Sequence, residues 1–364
     1  MDNDGDPMAA TSLPAAEAVP DAGRQIEFPF VPPQPDGEVV TLAPGVLWAR
    51  QPMPMQLDHI NVYLLRDTDG WFIVDTGLNL ENSRVLWETI VDRHFEGLPL
   101  KGLICTHFHY DHAGLAAWFT ERFNVPLYMT YGEYFTMRSL GGLMPEPLPD
   151  SLMQFYLRAG MPLARIEEMF AKLRRDPFMP PQPNAFTRLR EGEVLNIGGR
   201  EWRIVIGEGH SPEHACLYCE SDRLLIAGDQ LLPRITSNVL VSDIEPEANP
   251  LKLWLDSLDR LAALAPDTLV LPSHERVFRG LLPRVAELHE HHTQQFDIVR
   301  DYLREVGAAT AFETKNRQFP KVRSAVEDMM ALGETIAHLS WLRYGGEVRR
   351  VLDDDGLYRF SLAN

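Results

Sequence analysis

The chain is poor in cysteine, with three in 364 residues, too few for a disulfide framework. It has no apolar run near the roughly 20 residues that a membrane-spanning helix needs, and no stretch joins a basic start to an apolar centre as secretory signals do. These shortages predict a cytoplasmic protein with no membrane partner. Positive charge is also short: 34 Lys and Arg face 52 Asp and Glu, a formal net charge of −18. Such a field repels phosphate backbones, so nucleic acid is not an expected partner. What is present is a chain 45% hydrophobic and 24% charged, long enough for one large domain and an appended unit. The expected partner is a small-molecule substrate, and the oligomeric state is left open.

Residues 1–25, rich in Ala, Pro, Asp and Gly without periodicity, predict a disordered or loosely docked arm. Short β-rich runs follow in "EVVTLAPGVLWAR", "HINVYLLRD" and "GWFIVDTG", then a helical pattern over "NLENSRVLWETIVDRHF" and the strand "LKGLIC". Residues 131–190 break this rhythm with amphipathic stretches divided by prolines, which predicts a helical insertion. Strand signals resume at "GEVLNIGG", "EWRIVIGE", "HACLYCE" and "RLLIAGD", and the strand "DTLVLPSH" closes a main domain spanning 26–280. From 281 to 364, two helices and two strands joined by an Asp-Gly turn describe a winged-helix module. Asp353, Asp354 and Asp355 form its hairpin tip, where a DNA-binding wing would present cations.

The loop "ICTHFHYDHAG" crowds His107, His109, Asp111 and His112 into six positions directly after an apolar strand. A desolvated carboxylate is costly without a cation or hydrogen-bond donors, and a metal resolves that cost. His210 in "GEGHSPEH", Asp229 in "LLIAGDQLL" and His274 in "LVLPSHE" each stand at or just after a strand end, where α/β sheets gather ligand sites. Seven nitrogen and oxygen donors suit two divalent metals, with zinc expected and iron or manganese accepted by the same donors. Ligand counting gives His107, His109 and His210 to the first metal and Asp111, His112 and His274 to the second. Asp229 and a hydroxide then bridge the pair.

Other candidates have plainer readings. His214 competes with His210 and otherwise supports the ligands from behind. Asp75 is either a catalytic carboxylate or a hydrogen-bond anchor for the histidine loop. Cys105, Cys216 and Cys219 read as core, since a lone C-x-x-C carries little weight. His289, His291 and His292 lie on a helix and read as solvated, because neighbouring helical positions face different directions.

"THFHYDHAG" followed by His210, Asp229 and His274 in that order resembles the metallo-β-lactamase superfamily, over roughly Val39 to Glu275. The resemblance implies an α+β fold, a four-layer αβ/βα sandwich, and the same ligand assignments. True lactamases generally lack an aspartate equivalent to Asp229 and are exported, so the chain looks more like the glyoxalase II, lactonase and ribonuclease Z branches. Flavodiiron-type members carry glutamate where His109 stands, which disfavours that oxidoreductase reading. The tail is similar to the winged-helix module that packs beside the active site of lactamase-like hydrolases, and it does not match the glutathione-binding tail of glyoxalase II.

The expected reaction is hydrolysis of a small ester, thioester or lactone by the bridging hydroxide, oriented by Asp111. Alternatives are a phosphodiesterase or ribonuclease, a winged-helix regulator with a metal sensor, and a mononuclear iron persulfide dioxygenase. Tyr110 is placed to donate to a leaving alkoxide or to pack. Met144, Phe155 and Tyr156 in the insertion, with Trp341 and Tyr344 on the last helix, are expected to wall the substrate.

Overall fold

Side chains that alternate along each strand meet different partners, and this layers the molecule. In His59–Arg66, Val62 and Leu64 pack toward helices while Tyr63 and Leu65 face a second sheet. In Leu224–Gly228, Leu224 and Ile226 face the first sheet, and Leu225 and Ala227 turn to another helical layer. A strand apolar at every position therefore has both faces buried. The layers run helices, sheet, sheet, helices, as the expected four-layer α+β sandwich requires.

The computed structural model describes residues 26–55, 57–140, 145–175, 182–322 and 324–363. The expected arm, 1–25, and Met144 lie outside the described residues. In chain order the elements are β1 (Val40–Ala43), β2 (Val46–Pro52), β3 (His59–Arg66), β4 (Trp71–Val74), α1 (Glu81–His94), β5 (Leu100–Ile104), α2 (Tyr110–Ala113), α3 (Ala116–Phe123) and β6 (Leu127–Thr130). Helices α4 (Tyr131–Leu140), α5 (Asp150–Arg158) and α6 (Leu163–Arg175) follow, then β7 (Thr187–Leu189). The second half holds β8 (Val194–Ile197), β9 (Arg200–Gly207), β10 (His214–Cys219), β11 (Leu224–Gly228), α7 (Pro250–Ala262) and β12 (Leu269–Pro272). The chain ends with α8 (Leu281–Val306), α9 (Ala311–Gln318), α10 (Ala325–Tyr344), β13 (Val348–Leu352) and β14 (Tyr358–Leu362).

The first sheet orders β1 to β7 in sequence, antiparallel through β4 and parallel from β4 to β7. The second runs β12-β11-β10-β9-β8, with only β11 and β12 parallel. Backbone bonds stitch the sheets together at one rim, Asn61 N–H to the Ser273 carbonyl at 2.6 Å and Ala215 N–H to the Thr106 carbonyl at 2.8 Å.

The expected insertion ends earlier than residue 190, because Thr187–Leu189 returns to the first sheet, with Thr187 opposite Tyr128. Nor does the core break at residue 281. Helices α5 to α8 and α10 share one apolar cluster with the outer face of the second sheet, including Tyr156, Met169, Trp254, Leu288 and Leu339. Buried Asp328 joins the insertion to the tail, accepting from Lys315 Nζ and Arg165 Nη2, each at 2.5 Å. Among the described residues, no helix is long and apolar enough to cross a membrane. All three cysteines are free and buried, as core positions should be.

The second histidine cluster corrects an expectation. His292 is 1% exposed, because it falls on the stripe Leu288, His292, Phe296, Val299 that α8 turns inward. Its Nδ1 lies 3.1 Å from His338 Nε2, whose Nδ1 donates to the Glu334 carbonyl at 2.9 Å. His289 instead pairs with Asp259 at 2.8 Å on a more open face.

Burial pulls His338 from its ordinary 6.5 to about 4, and His292 well below its own. An unfolded chain then binds more protons between about pH 6.5 and 4, so stability from this pair is complete above that window and lost as pH falls through it. At about 1.4 kcal/mol per pH unit, His338 alone is expected to contribute about 2 kcal/mol to the difference between pH 7 and 5. Urea unfolding at both pH values should show that His338→Gln loses correspondingly less stability than wild type; equal acid sensitivity would contradict the assignment.

Candidate metal centre

All seven candidate ligands sit beyond the carboxyl ends of strands. His107 and His109 follow β5, Asp111 and His112 lie on the short helix α2, His210 follows β9, Asp229 follows β11 and His274 follows β12. The donor atoms fall into two groups, each within 4.8 Å: His107, His109, His210 and Asp229, then Asp111, His112 and His274. Asp229 also reaches the second group. Its Oδ2 is 3.6 Å from His210 Nε2 and 3.4 Å from His112 Nε2, and its Oδ1 is 3.5 Å from His274 Nε2. Asp111 Oδ2 stands 3.3 Å from His274 Nε2 and 3.6 Å from His112 Nε2.

Donors bound at about 2.1 Å in a tetrahedron lie about 3.4 Å apart, and most of these separations are close to that edge. His107 Nε2 to His109 Nδ1 is tighter at 2.8 Å, and His107 Nε2 to His210 Nε2 is 3.3 Å. Two buried atoms, His112 Nε2 and Asp229 Oδ1, have no hydrogen-bond partner. Unpartnered buried polar atoms of this kind, on imidazole and carboxylate, fit a divalent cation.

Charge divides the groups. Burial pulls His107 well below its ordinary value, helped by neighbouring imidazoles, and takes His109 down to about 3; His210 is lowered by burial too. These rings are neutral, as ligands must be. Burial opposes charge on His112 and His274 as well, but Asp111, Asp229 and Asp75 lift His112 well above its usual range, and Asp229 with Asp111 lifts His274 to about 10. Asp229 is held well below the usual carboxylate range against the cost of its burial.

A family model for the metallo-beta-lactamase superfamily matches residues 55–274, and one for a metallo-beta-lactamase-like C-terminal domain matches 302–363. The chain belongs to the metallo-beta-lactamase superfamily. A beta-lactamase domain protein from Burkholderia ambifaria is 42% identical, with a TM-score of 0.85 over 93% of this chain and 98% of its own. A metallo-beta-lactamase family protein from Thermus thermophilus is 31% identical, with a TM-score of 0.73 over 89% and 100%. A Bacillus subtilis protein named "Probable metallo-hydrolase" is 27% identical across 82% of this chain and 92% of its own. The chain is thus a metallo-hydrolase of this superfamily.

Residues behind the ligands fix this metallo-hydrolase's rings. Asp75, with φ 63°, accepts from Thr106 N–H at 2.8 Å through Oδ1 and meets His112 Nδ1 at 2.9 Å through Oδ2. It is the anchor that the sequence allowed. His210 Nδ1 donates to the Asn238 carbonyl at 2.8 Å, and His274 Nδ1 to that of His59 at 3.1 Å, leaving each Nε2 inward. His214 stands behind: its Nε2 accepts from Asp229 N–H at 3.1 Å. Glu133 was missed from sequence. Fully buried on α4, it accepts from Phe108 N–H at 2.9 Å, Ser211 Oγ at 2.6 Å and Glu213 N–H at 2.7 Å, while burial raises its carboxyl to about 7.

The substrate candidates scatter. Tyr110 opens α2 and packs near Met53, Ile60 and Leu78, its phenol pKa raised by burial. Tyr156 is a core side chain, 5% exposed and edge-on to Phe170, with Phe155 against it. Trp341 stacks on Phe296 at 4.1 Å. Tyr344 is exposed and donates to the Glu247 carbonyl at 2.6 Å. Tyr156 lies within the apolar cluster shared by the helical layer, and Trp341 is partly buried against it.

Gly228 takes φ 53°, and a Cβ there would lie 2.4 Å from the His214 ring. Gly228→Ala should push His214 off the Asp229 amide and weaken metal binding roughly 10- to 100-fold, the usual effect of disturbing a ligand's support. Chelator competition on the purified variant measures this; unchanged affinity would show that His214 does not hold Asp229 in place.

Proposed function

We propose that the chain hydrolyses a small thioester, ester or lactone at a pair of divalent metals, zinc being the metal expected. The carrying observation is Asp229, whose two oxygens lie 3.4–3.6 Å from nitrogens of both ligand groups. Bound there, a metal pair would supply an activated water near neutral pH and polarise the substrate carbonyl. His107, His109 and His210 would hold one ion and Asp111, His112 and His274 the other, with Asp229 shared. Asp111, facing the same space, orients the nucleophile and accepts its proton.

A thiolate leaves with little need of a proton, so a thioester asks for no dedicated acid. A human protein named as an acyl-coenzyme A thioesterase, 22% identical over 196 residues, supports this choice among carbonyl substrates. Phosphodiester cleavage fits less well with a net charge of −18 and with Asp353, Asp354 and Asp355 at the tip of the β13–β14 hairpin. We read the C-terminal helices and hairpin as a winged helix without a nucleic-acid role, and low cysteine usage favours the cytoplasm.

Metal analysis followed by assays on thioesters, lactones and phosphodiesters tests the reading. Two zinc equivalents per chain and carbonyl-substrate turnover are expected, with Asp229→Ala and His112→Ala each losing turnover by orders of magnitude while staying folded. One iron per chain with oxygen consumption on a persulfide would replace the hydrolase reading with a dioxygenase. Near-normal turnover in both variants would sink the two-metal mechanism.

A further inference from the structure

Both ligand groups are tied across the sheets by backbone, the first through Ala215 N–H to the Thr106 carbonyl beside His107, and the first has a buried side-chain link besides. In the second group, His274 from the second sheet is tied to the first by backbone: Asn61 N–H bonds to Ser273 and His274 Nδ1 to the His59 carbonyl. In the first group, His107 and His109 come from the loop after β5 and His210 from the loop after β9. The amide of Phe108 lies between the first two ligands, and Ser211 directly follows the third. Both donate to one carboxylate, that of Glu133.

We propose that Glu133 is the positioning residue of the first metal group, a buried clamp that sets the distance between the His107–His109 loop and the His210 loop. This rests on the two-metal reading above. Three donors converge on its two oxygens, Phe108 N–H on Oε2, and Glu213 N–H and Ser211 Oγ on Oε1. The clamp is reciprocal, since Glu213 Oε2 accepts from Gly132 N–H at 2.7 Å and Thr130 Oγ donates to the Glu213 carbonyl at 2.8 Å. Glu133 itself faces none of the second group's ligands in these bonds, so its effect should be confined to the first ion.

Glu133→Gln preserves size but gives the site an NH2 where an oxygen accepted. Whichever way the amide turns, one backbone N–H, of Phe108 or of Glu213, meets a donor instead of an acceptor. Ser211 can rotate its hydroxyl to compensate, but a backbone amide cannot.

The test uses full-length metal-free protein titrated with zinc against a chromophoric chelator, and with cobalt for its visible spectrum. In a His274→Ala background, which cripples the second group, Glu133→Gln should weaken the remaining site roughly 10- to 100-fold and change the cobalt spectrum. In a His210→Ala background, which cripples the first, it should leave affinity within about threefold. Thr130→Val, which removes the clamp's outer bond to the Glu213 carbonyl but leaves Glu133's own three bonds in place, should weaken the first site less than Glu133→Gln does. Equal weakening in both backgrounds, or loss in Thr130→Val as large as in Glu133→Gln, would reduce Glu133 to general scaffolding and overturn the proposal. Should wild type bind a single ion that His210→Ala abolishes, the two-metal reading fails alone; Glu133→Gln must still weaken that ion, and unchanged affinity would overturn the clamp.

Discussion

Three buried carboxylates, Asp75, Asp111 and Asp229, lie among imidazoles at the rim where two sheets meet, and the rest of the molecule follows from the need to compensate them. Such charges are tolerated inside a protein only when paired or bound to a cation. Asp75 is compensated by hydrogen bonds from Thr106 and His112. Asp111 and Asp229 have only weakly spaced contacts with imidazoles, and Asp229 Oδ1 has no hydrogen bond at all. A site finished by a cation has this pattern, whereas a structural salt-bridge network would close its bonds.

The legible part of the site was the part that is local or repeated. Four ligands stand within six residues, and the other three each follow an apolar run ending in Gly or Ser, so strand ends could be matched to ligands without knowing the sheet order. The near-continuous apolar runs of β3, β10 and β11 fit strands buried on both faces. Glu133 left no such trace, because its partners are 25, 78 and 80 residues away and a single glutamate on an amphipathic helix reads as solvated. His292 departs from expectation for a related reason: its neighbours His289 and His291 suggest a solvated cluster, whereas the four-residue step from Leu288 and to Phe296 decides its burial. Helix α9 could have been found, since Thr310 and Glu313 form a capping box.

In sequence the insertion and the tail read as separate units, because a boundary there is a change of pattern. In the fold, Asp328 on α10 is clasped by Arg165 of α6 and Lys315 of α9, and Phe312 N–H bonds to the Ala159 carbonyl. Val241, in the segment after Asp229, bonds to Gly333 in the middle of α10. The tail therefore reaches the ligand-bearing segment through one backbone bond, and a change in how α10 packs is felt within a dozen residues of Asp229. The helical layer is built from elements packed into one core.

Backbone strain is placed at the same rim. Asp75 and Glu275, both non-glycine residues at positive φ, 63° and 67°, follow β4 and the ligand His274. Such conformations cost on the order of 1 kcal/mol or more each and persist only when their surroundings overdetermine them. Asp75 is fixed through its side chain, and Glu275 through its carbonyl, which accepts from Arg50 Nη2 at 2.5 Å and Asn61 Nδ2 at 3.3 Å. Asn61 Nδ2 also donates to the Pro272 carbonyl at 2.8 Å, as does the Tyr63 hydroxyl at 2.7 Å. First-sheet side chains thus hold the second-sheet turn that throws His274 inward, while a first-sheet turn at Asp75 holds His112. Each sheet supplies the restraint that the other sheet's ligands, or its own, require, so the ligand geometry is a property of the closed sandwich and not of either half.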